Sequence, residues 1–389
     1  MDLGRRYLEL VLRFRRLAPS LVESYHGPPE LVDRVDAENV LPGVELAEQA
    51  AQLRSTVARF EPKRDRAAWL DGQLRGLEAA SQSLAGAPVG YKQLVERCYG
   101  VQAVEVDEVQ FEHAHELIAR ELPGRGTPRE RFAAWTATQL VSGERPAAGL
   151  ATLADDFRRR THDLCELPEE EVVEFDLVRG KPWAGNADYR GGFRTVIQIN
   201  AELPIAGWRM VELVAHEAYP GHHTEHVCKD QALVRAQNRV ELAVWAFPTP
   251  QALIAEGIAM LAPEILLGEE IDEVGGSLLR PVGINYDPVG SAAVRRAREL
   301  LLPLRANLAL MLDEDRIDPS GMRIYAQRWL LEDDAHVERV VSSLLQRQWA
   351  PYESCYPQGL RACRQFVDGG PDRFATLLHQ QLTPAALRP

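Results

Sequence analysis

The 389-residue chain reads as one mainly α domain with a small β-sheet beside the helix that carries its densest cluster of ionisable side chains. Three observations predict this class. Apolar residues recur at helical spacing through most of the sequence. The period changes to alternation only around Val173, Phe175 and Leu177 and again around Thr195, Ile197 and Ile199. No repeat, low-complexity tract or linker divides the chain, so a single domain over 1–389 is the economical reading.

Residues 1–25 read as a helix with Leu8, Leu10, Val11, Leu12, Phe14 and Leu17 on a broad apolar stripe, stopped by His26-Gly27-Pro28-Pro29. Residues 43–87 carry long helical patterning through Leu46, Ala50, Leu53, Leu70, Leu74 and Leu77. A further helix fits 104–121, closed by Leu122-Pro123-Gly124-Arg125-Gly126, and 128–166 again reads as helices, so the whole of 1–166 is helical. The sheet occupies 171–200. Its first strand has one wet face, with Glu174 and Asp176 between the apolar residues. The stretch Gly180-Lys181-Pro182-Trp183-Ala184-Gly185 is a loop, and the second strand ends at Asn200. That strand is expected to offer an edge to an extended peptide, and Asn186 and Tyr189 are expected in loop structure. Helices resume near 206 and run through 251–266, the active-site helices 206–266. Others at 289–312, 319–331, 333–348 and about 358–367 build a helical C-terminal region over 289–389, with Pro351 and Pro357 as breaks.

Hydrophobic content of 46% and charged content of 26% describe a soluble globular chain. A formal net charge of -13 argues against a nucleic-acid partner, because phosphate binding needs a basic face. Lysine occurs only at 63, 92, 181 and 229. Cys98, Cys165, Cys228, Cys355 and Cys363 form no CxxC pair, which suggests reduced thiols and a cytoplasmic location. The start Met1-Asp2-Leu3-Gly4-Arg5-Arg6 lacks the pattern of a signal peptide, and no apolar run of ~18 residues is read as a membrane span.

The segment Val214-Ala215-His216-Glu217-Ala218-Tyr219-Pro220-Gly221-His222-His223-Thr224-Glu225-His226 holds four of the ten histidines and two carboxylates. Burying such groups is costly unless they are paired or bind a metal. A hydrolytic zinc site needs three protein ligands, an open position for water and a base beside it. The motif is not HExxH, since Pro220 stands four residues after His216. In a regular helix His216 and His223 would lie about 10 Å apart along the axis, too far for one metal. Pro220-Gly221 is expected to break or bulge the helix and return His222 or His223 toward His216, with His222 needing the smaller insertion. A competing parse reads His222-His223-Thr224-Glu225-His226 as the inverted HxxEH motif, with His222 and His226 as ligands and Glu225 as base. Cys228 is a further, weaker ligand candidate. The third ligand is expected on a neighbouring helix, where Glu256 stands among Leu253, Ile254, Ile258 and Met260.

The strings His216 to Glu225 (HEAYPGHHTE) and Glu256 to Ala259 (EGIA) resemble the bacterial DUF885 family, whose fold is similar to the M32-type zinc carboxypeptidases, helical zincins with a small sheet. The resemblance covers most of the chain, with further echoes at Tyr25-His26-Gly27-Pro28-Pro29, Pro182-Trp183 and Pro351 through Gly359. It implies His216, one of His222 and His223, and Glu256 as zinc ligands, and Glu217 as base. Around 300–315 the chain departs from that pattern, which leaves substrate specificity open.

The expected activity is therefore zinc-dependent hydrolysis of a peptide bond, with Zn2+ activating water and Glu217 relaying its proton to the leaving amine. Tyr356, in a segment that resembles a tyrosine-bearing stretch of that family, is the expected oxyanion donor. Glu225 is the expected acceptor behind a ligand histidine. Arg347, Arg361 and Arg364 are candidates to hold a substrate carboxylate. Alternatives are a hydrolase of a non-peptide amide, a metal-binding protein without catalysis, and an iron site. The partner is a peptide or small amide, with neither nucleic acid nor membrane expected.

Overall fold

A computed structural model of the chain describes residues 2–141, 145–180, 185–202, 205–370 and 372–388. The Pro182-Trp183 segment and most of the expected 180–185 loop lie outside them.

Helix α1 (Leu3–Leu17) starts on the Asp2 side chain, which accepts from the Arg5 amide, and buries Tyr7, Leu8, Val11 and Leu12. It is shorter than the expected helix over 1–25. Pro19 cannot continue the backbone ladder, and the chain passes through a short 3-10 turn into strand β1 (Val22–Tyr25). Helix α2 (Pro29–Asp36) follows. The expected helical stretch 43–87 is two helices, α3 (Gly43–Phe60) and α4 (Arg64–Leu84), parted at Glu61-Pro62-Lys63. Next come α5 (Tyr91–Tyr99), α6 (Val109–Glu121) and α7 (Pro128–Ala137). The last opens with a capping box between Thr127 and Glu130. Strand β2 (Leu140–Val141) and helix α8 (Arg145–Thr161) complete the N-terminal region.

Strands β3 (Val172–Val178), β4 (Gly185–Tyr189) and β5 (Arg194–Asn200) form a three-stranded sheet in the order β3-β5-β4. β5 pairs parallel with β3 and antiparallel with β4. The strand ending at Asn200 is therefore central, and both its ladders are taken, so it offers no edge to a peptide. Val196 is buried like Thr195 and Ile197 on either side of it, so both faces of this strand are covered. Asn186 and Tyr189 lie on β4, paired with Gln198 and Thr195, instead of in a loop.

Strand β6 (Ile205–Ala206) pairs with β2, and β7 (Val244–Ala246) pairs with β1. Between them run α9 (Gly207–Glu217), α10 (His222–Lys229) and a π-helical turn (Asp230–Arg235). Helix α11 (Pro250–Leu267) comes next, then α12 (Ile271–Leu279) and α13 (Pro288–Leu301). The remaining helices are α14 (Leu304–Asp313), α15 (Pro319–Trp329), α16 (Asp334–Leu344), α17 (Cys355–Val367) and α18 (Asp372–His379). Pro303 divides the expected 289–312 helix into α13 and α14. Pro357 does not break its helix, because it occupies the first turn of α17, where a missing amide hydrogen costs nothing.

Helix α11 is apolar on all sides. The stretch Pro250–Val282 is long and apolar enough to cross a membrane, contrary to the expectation that no run is, but most of it is buried inside the protein. A helix without a polar face is the helix a core is built around. It packs most intimately on α17. A Cβ on Gly257 would meet the Gly359 carbonyl oxygen at 2.4 Å, and one on Gly359 would meet the Leu253 carbonyl oxygen at 2.3 Å. Glycine at both positions is what lets these two backbones touch, and that contact brings the segment before α17 over Glu256.

Candidate metal centre

Helix α9 ends at Glu217, and the break falls where Pro220-Gly221 predicts it. The Tyr219–Pro220 peptide is cis, and α10 restarts at His222. A Cβ on Gly221 would sit 1.8 Å from the His216 carbonyl oxygen, so only glycine fits this turn. The new helix is seated by the Thr224 amide and hydroxyl, which both donate to the Ala218 carbonyl.

The turn sets the His216 and His222 rings edge to face, with centroids 4.8 Å apart. Glu256, from the middle of α11, completes the group. One ligand atom from each of His216, His222 and Glu256 lies within 4.8 Å of the others. His216 Nε2 is 3.6 Å from Glu256 Oε2, and His222 Nε2 is 3.7 Å from Glu256 Oε1. Tyr352 donates its hydroxyl to Oε1. Oε2 is buried and has no hydrogen-bond partner.

The electrostatics match this geometry. Burial, with the neighbouring His222 and Arg209, holds His216 well below its usual pKa, and burial takes His222 down to about 4. Both rings are therefore neutral, the form that ligates metals. Burial pushes the Glu256 carboxyl up to about 8 against the opposing hydrogen bond from Tyr352. A buried carboxyl has its orphaned oxygen beside one neutral imidazole and its other oxygen beside the second, and two nitrogens with one carboxylate are a donor set that zinc accepts. The residues fit the metal.

Glu217 follows His216, is half-buried, and makes no hydrogen bond or ion pair among the described residues. Burial raises its carboxyl to about 7, opposed by the Arg209 guanidinium. Arg209 stands seven residues before His216 on the same helix face, about 10 Å along the axis, and pairs with Glu212 at 3.0 Å. Tyr356 is half-buried with its ring 5.5 Å from that of Tyr352. Burial and the carboxylates of Glu256 and Glu353 push its phenol well up, so it remains a donor.

His223 does not join the group. It is fully buried on the other side of α10, with Nε2 2.7 Å from Glu171 Oε2 and Nδ1 2.7 Å from Thr195 Oγ1 on β5. Consecutive residues of a helix point about 100° apart, so His222 and His223 cannot serve one metal. The inverted HxxEH parse also fails. His226 stacks on Tyr189 (centroids 4.9 Å, planes 6° apart), and buried Glu225 is ion-paired with Lys229, which also removes it as acceptor for a ligand histidine. Cys228 faces Cys165 instead of the metal group. Arg347 donates to the Val89 carbonyl, Arg361 to Gln358, and Arg364 to Glu264 and Glu299, so all three are engaged away from the histidines.

Sequence reasoning misses four residues of the site. Tyr352 lies in the Pro351–Gly359 segment, four residues before the expected Tyr356. Glu171 accepts from Tyr219 (2.6 Å) and His223 and pairs with Arg158, and so fixes the turn. Burial would raise its carboxyl, but these donors hold it down at about 2. Glu23, on β1, is pushed well up by burial and by the fields of Glu217 and Glu256. Of the four, only Arg209 has a usable signal, its seven-residue spacing to His216.

The chain matches no protein-family model and no curated protein. Solved structures share its fold, among them the following two. One is a "putative lipoprotein" from Colwellia psychrerythraea, at 15% identity and a TM-score of 0.54, covering 92% of this chain and 68% of the other. The second, from Shewanella oneidensis and of unknown function, aligns at 11% identity with a TM-score of 0.54, covering 92% of this chain and 75% of its own. At such identities the likeness concerns the fold alone.

Proposed function

We propose that this protein is a zinc-dependent hydrolase acting on peptide bonds, in the manner of the DUF885 and M32-type proteins its HEAYPGHH string resembles. The observation that carries the reading is the convergence of His216, His222 and Glu256, with unpaired Glu217 next to the first ligand. Zinc held by these three side chains would supply Lewis acidity and make water acidic enough to lose a proton near neutrality. Glu217 is the proton carrier. Its carboxylate takes a proton from the attacking water and returns it to the leaving amine. Tyr352 holds Oε1 of Glu256, the oxygen nearest His222, and Oε2, the oxygen nearest His216, has no protein partner. Tyr356 holds its proton and is the donor for a developing oxyanion.

Metal analysis of protein purified without added metal tests the site, and a panel of peptides with free and blocked termini tests the activity. Zinc at one per chain and cleavage that depends on a free C-terminus support a carboxypeptidase. Cleavage of amides other than peptides would move the assignment within the hydrolases. Glu217→Gln should keep zinc and lose hydrolysis by at least about 100-fold; an active variant would remove Glu217 from the mechanism. The cysteine spacing favours the cytoplasm, whereas both fold neighbours are described as a "putative lipoprotein". Cell fractionation decides between these locations.

A further inference from the structure

Cys98 and Cys363 direct their thiols at backbone carbonyls of Gly76 and Ile254. Cys165 and Cys228 face each other instead, with sulfurs 3.9 Å apart. Their positions are informative. Cys228 is on α10, six residues after His222. Cys165 lies in the bend after α8, six residues before Glu171. The sulfur pair therefore spans the same two segments that the Glu171–His223 and Glu171–Tyr219 hydrogen bonds already join.

We infer that Cys165 and Cys228 form a disulfide-forming pair that clamps the turn between α9 and α10. A disulfide needs the sulfurs about 2 Å apart, so they have to close by about 2 Å. Cys165 sits on a non-helical segment, where rotation about its Cα–Cβ bond and a small backbone shift supply that movement. The two sulfurs are not equivalent. Cys228 is fully enclosed, and its neighbour Cys165 and its burial push its thiol far up, so it does not initiate exchange. Cys165 is also buried but at 8% exposure is the less enclosed of the two, so a local opening of its bend brings it to an outside reagent first. The oxidant is a small disulfide such as oxidised glutathione. The Cys165 thiol loses its proton and attacks the glutathione sulfur–sulfur bond, releasing one glutathione thiol. Cys228 then loses its proton and displaces the second glutathione. The protein gives up two electrons and two protons, and glutathione disulfide is reduced to two thiols. This inference does not depend on zinc and can stand if the metal reading fails.

The full chain is incubated, and in a second arm refolded, in oxidised glutathione. Two of the five thiols should become unreactive, and digestion should yield a peptide linking residues 165 and 228. The cross-linked form should melt about 5 °C higher than the reduced form. Cys228→Ala should trap a glutathione adduct on Cys165, and Cys165→Ala should leave Cys228 unmodified. Five reactive thiols after both arms, or a cross-link between other cysteines, would overturn the inference. Circular dichroism of both variants separates a folding failure from a negative result.

Discussion

The Tyr352 hydroxyl donates to Oε1 of Glu256 and leaves Oε2 of the same carboxyl buried without a partner. The phenol is held by the rings of Phe247, Trp349 and Tyr356, which touch it at centroid distances of 5.0, 6.2 and 5.5 Å. Oε1, the oxygen nearest His222, is thus held by the phenol, and Oε2, the oxygen nearest His216, is left to the space beside that ring. Removing the hydroxyl frees the carboxyl to rotate. Tyr352→Phe should weaken zinc binding by about 10- to 100-fold in competition with a chelator, with the fold intact. Equal affinities for the variant and the parent chain would show that Glu256 needs no such restraint.

His222 and His223 are adjacent in sequence and should fail in opposite ways. His222→Ala should abolish stoichiometric zinc with little change in melting temperature, because only a half-buried ring is lost. His223→Ala leaves the Glu171 carboxylate with one fewer donor in a fully buried position and should cost about 3 kcal/mol, or about 4 °C in melting temperature. Calorimetry beside metal analysis reads both. A destabilised His222→Ala and an unaffected His223→Ala would reverse the assignment.

Glu171 should also write itself into the acid stability of the protein. Its carboxyl is held at about 2 in the folded state by His223, Tyr219 and Arg158, against an unfolded value of ~4.3. A depressed folded pKa stabilises above the unfolded value and loses that contribution as the pH falls toward the folded one. The loss should amount to about 2 kcal/mol between pH ~4.5 and ~2. Urea titrations across this window should show the decline in the parent chain and a shallower one in Glu171→Gln. Parallel slopes would mean that other carboxylates dominate.

Gly221→Ala should be worse tolerated than Gly86→Ala, where a positive φ is the only constraint and open space surrounds the site. At 221 the new methyl would lie 1.8 Å from the His216 carbonyl oxygen, so the turn has to open and the two rings must separate. The expected readouts are loss of stoichiometric zinc and a melting temperature lower than that of Gly86→Ala. Retained zinc would mean that the turn has room the geometry does not show.

Much of this is visible in the order of residues. The helical stripes of α1, α4 and α6 and the alternation of β3 and β5 are legible because burial acts on every third or fourth residue of a helix and every second residue of a strand. The chain break at Pro220-Gly221 is legible because proline and glycine act locally, whatever surrounds them. Pairing is not legible. β4 has little alternation to show, and the place of β5 at the centre of its sheet depends on two partners whose approach no local pattern encodes. Tyr352 and Tyr356 look alike for the same reason, since only the crossing of α17 over α11 at Gly257 and Gly359 selects which phenol reaches Glu256.

By itself, the order of residues determined a mainly helical chain with an interrupted histidine-bearing helix, a His-Glu start and a second acid within an apolar helix. These follow from interactions within a turn or two of backbone, and short-range sterics and periodicity suffice for them. The choice of His222 over His223, the diversion of Glu225 and His226 to other partners, and the roles of Glu171 and Tyr352 were decided by the tertiary structure. Each depends on which distant group lies within hydrogen-bond reach. A bond that fades over a fraction of an ångström is set by how helices and strands pack, and side-chain identity alone does not specify that.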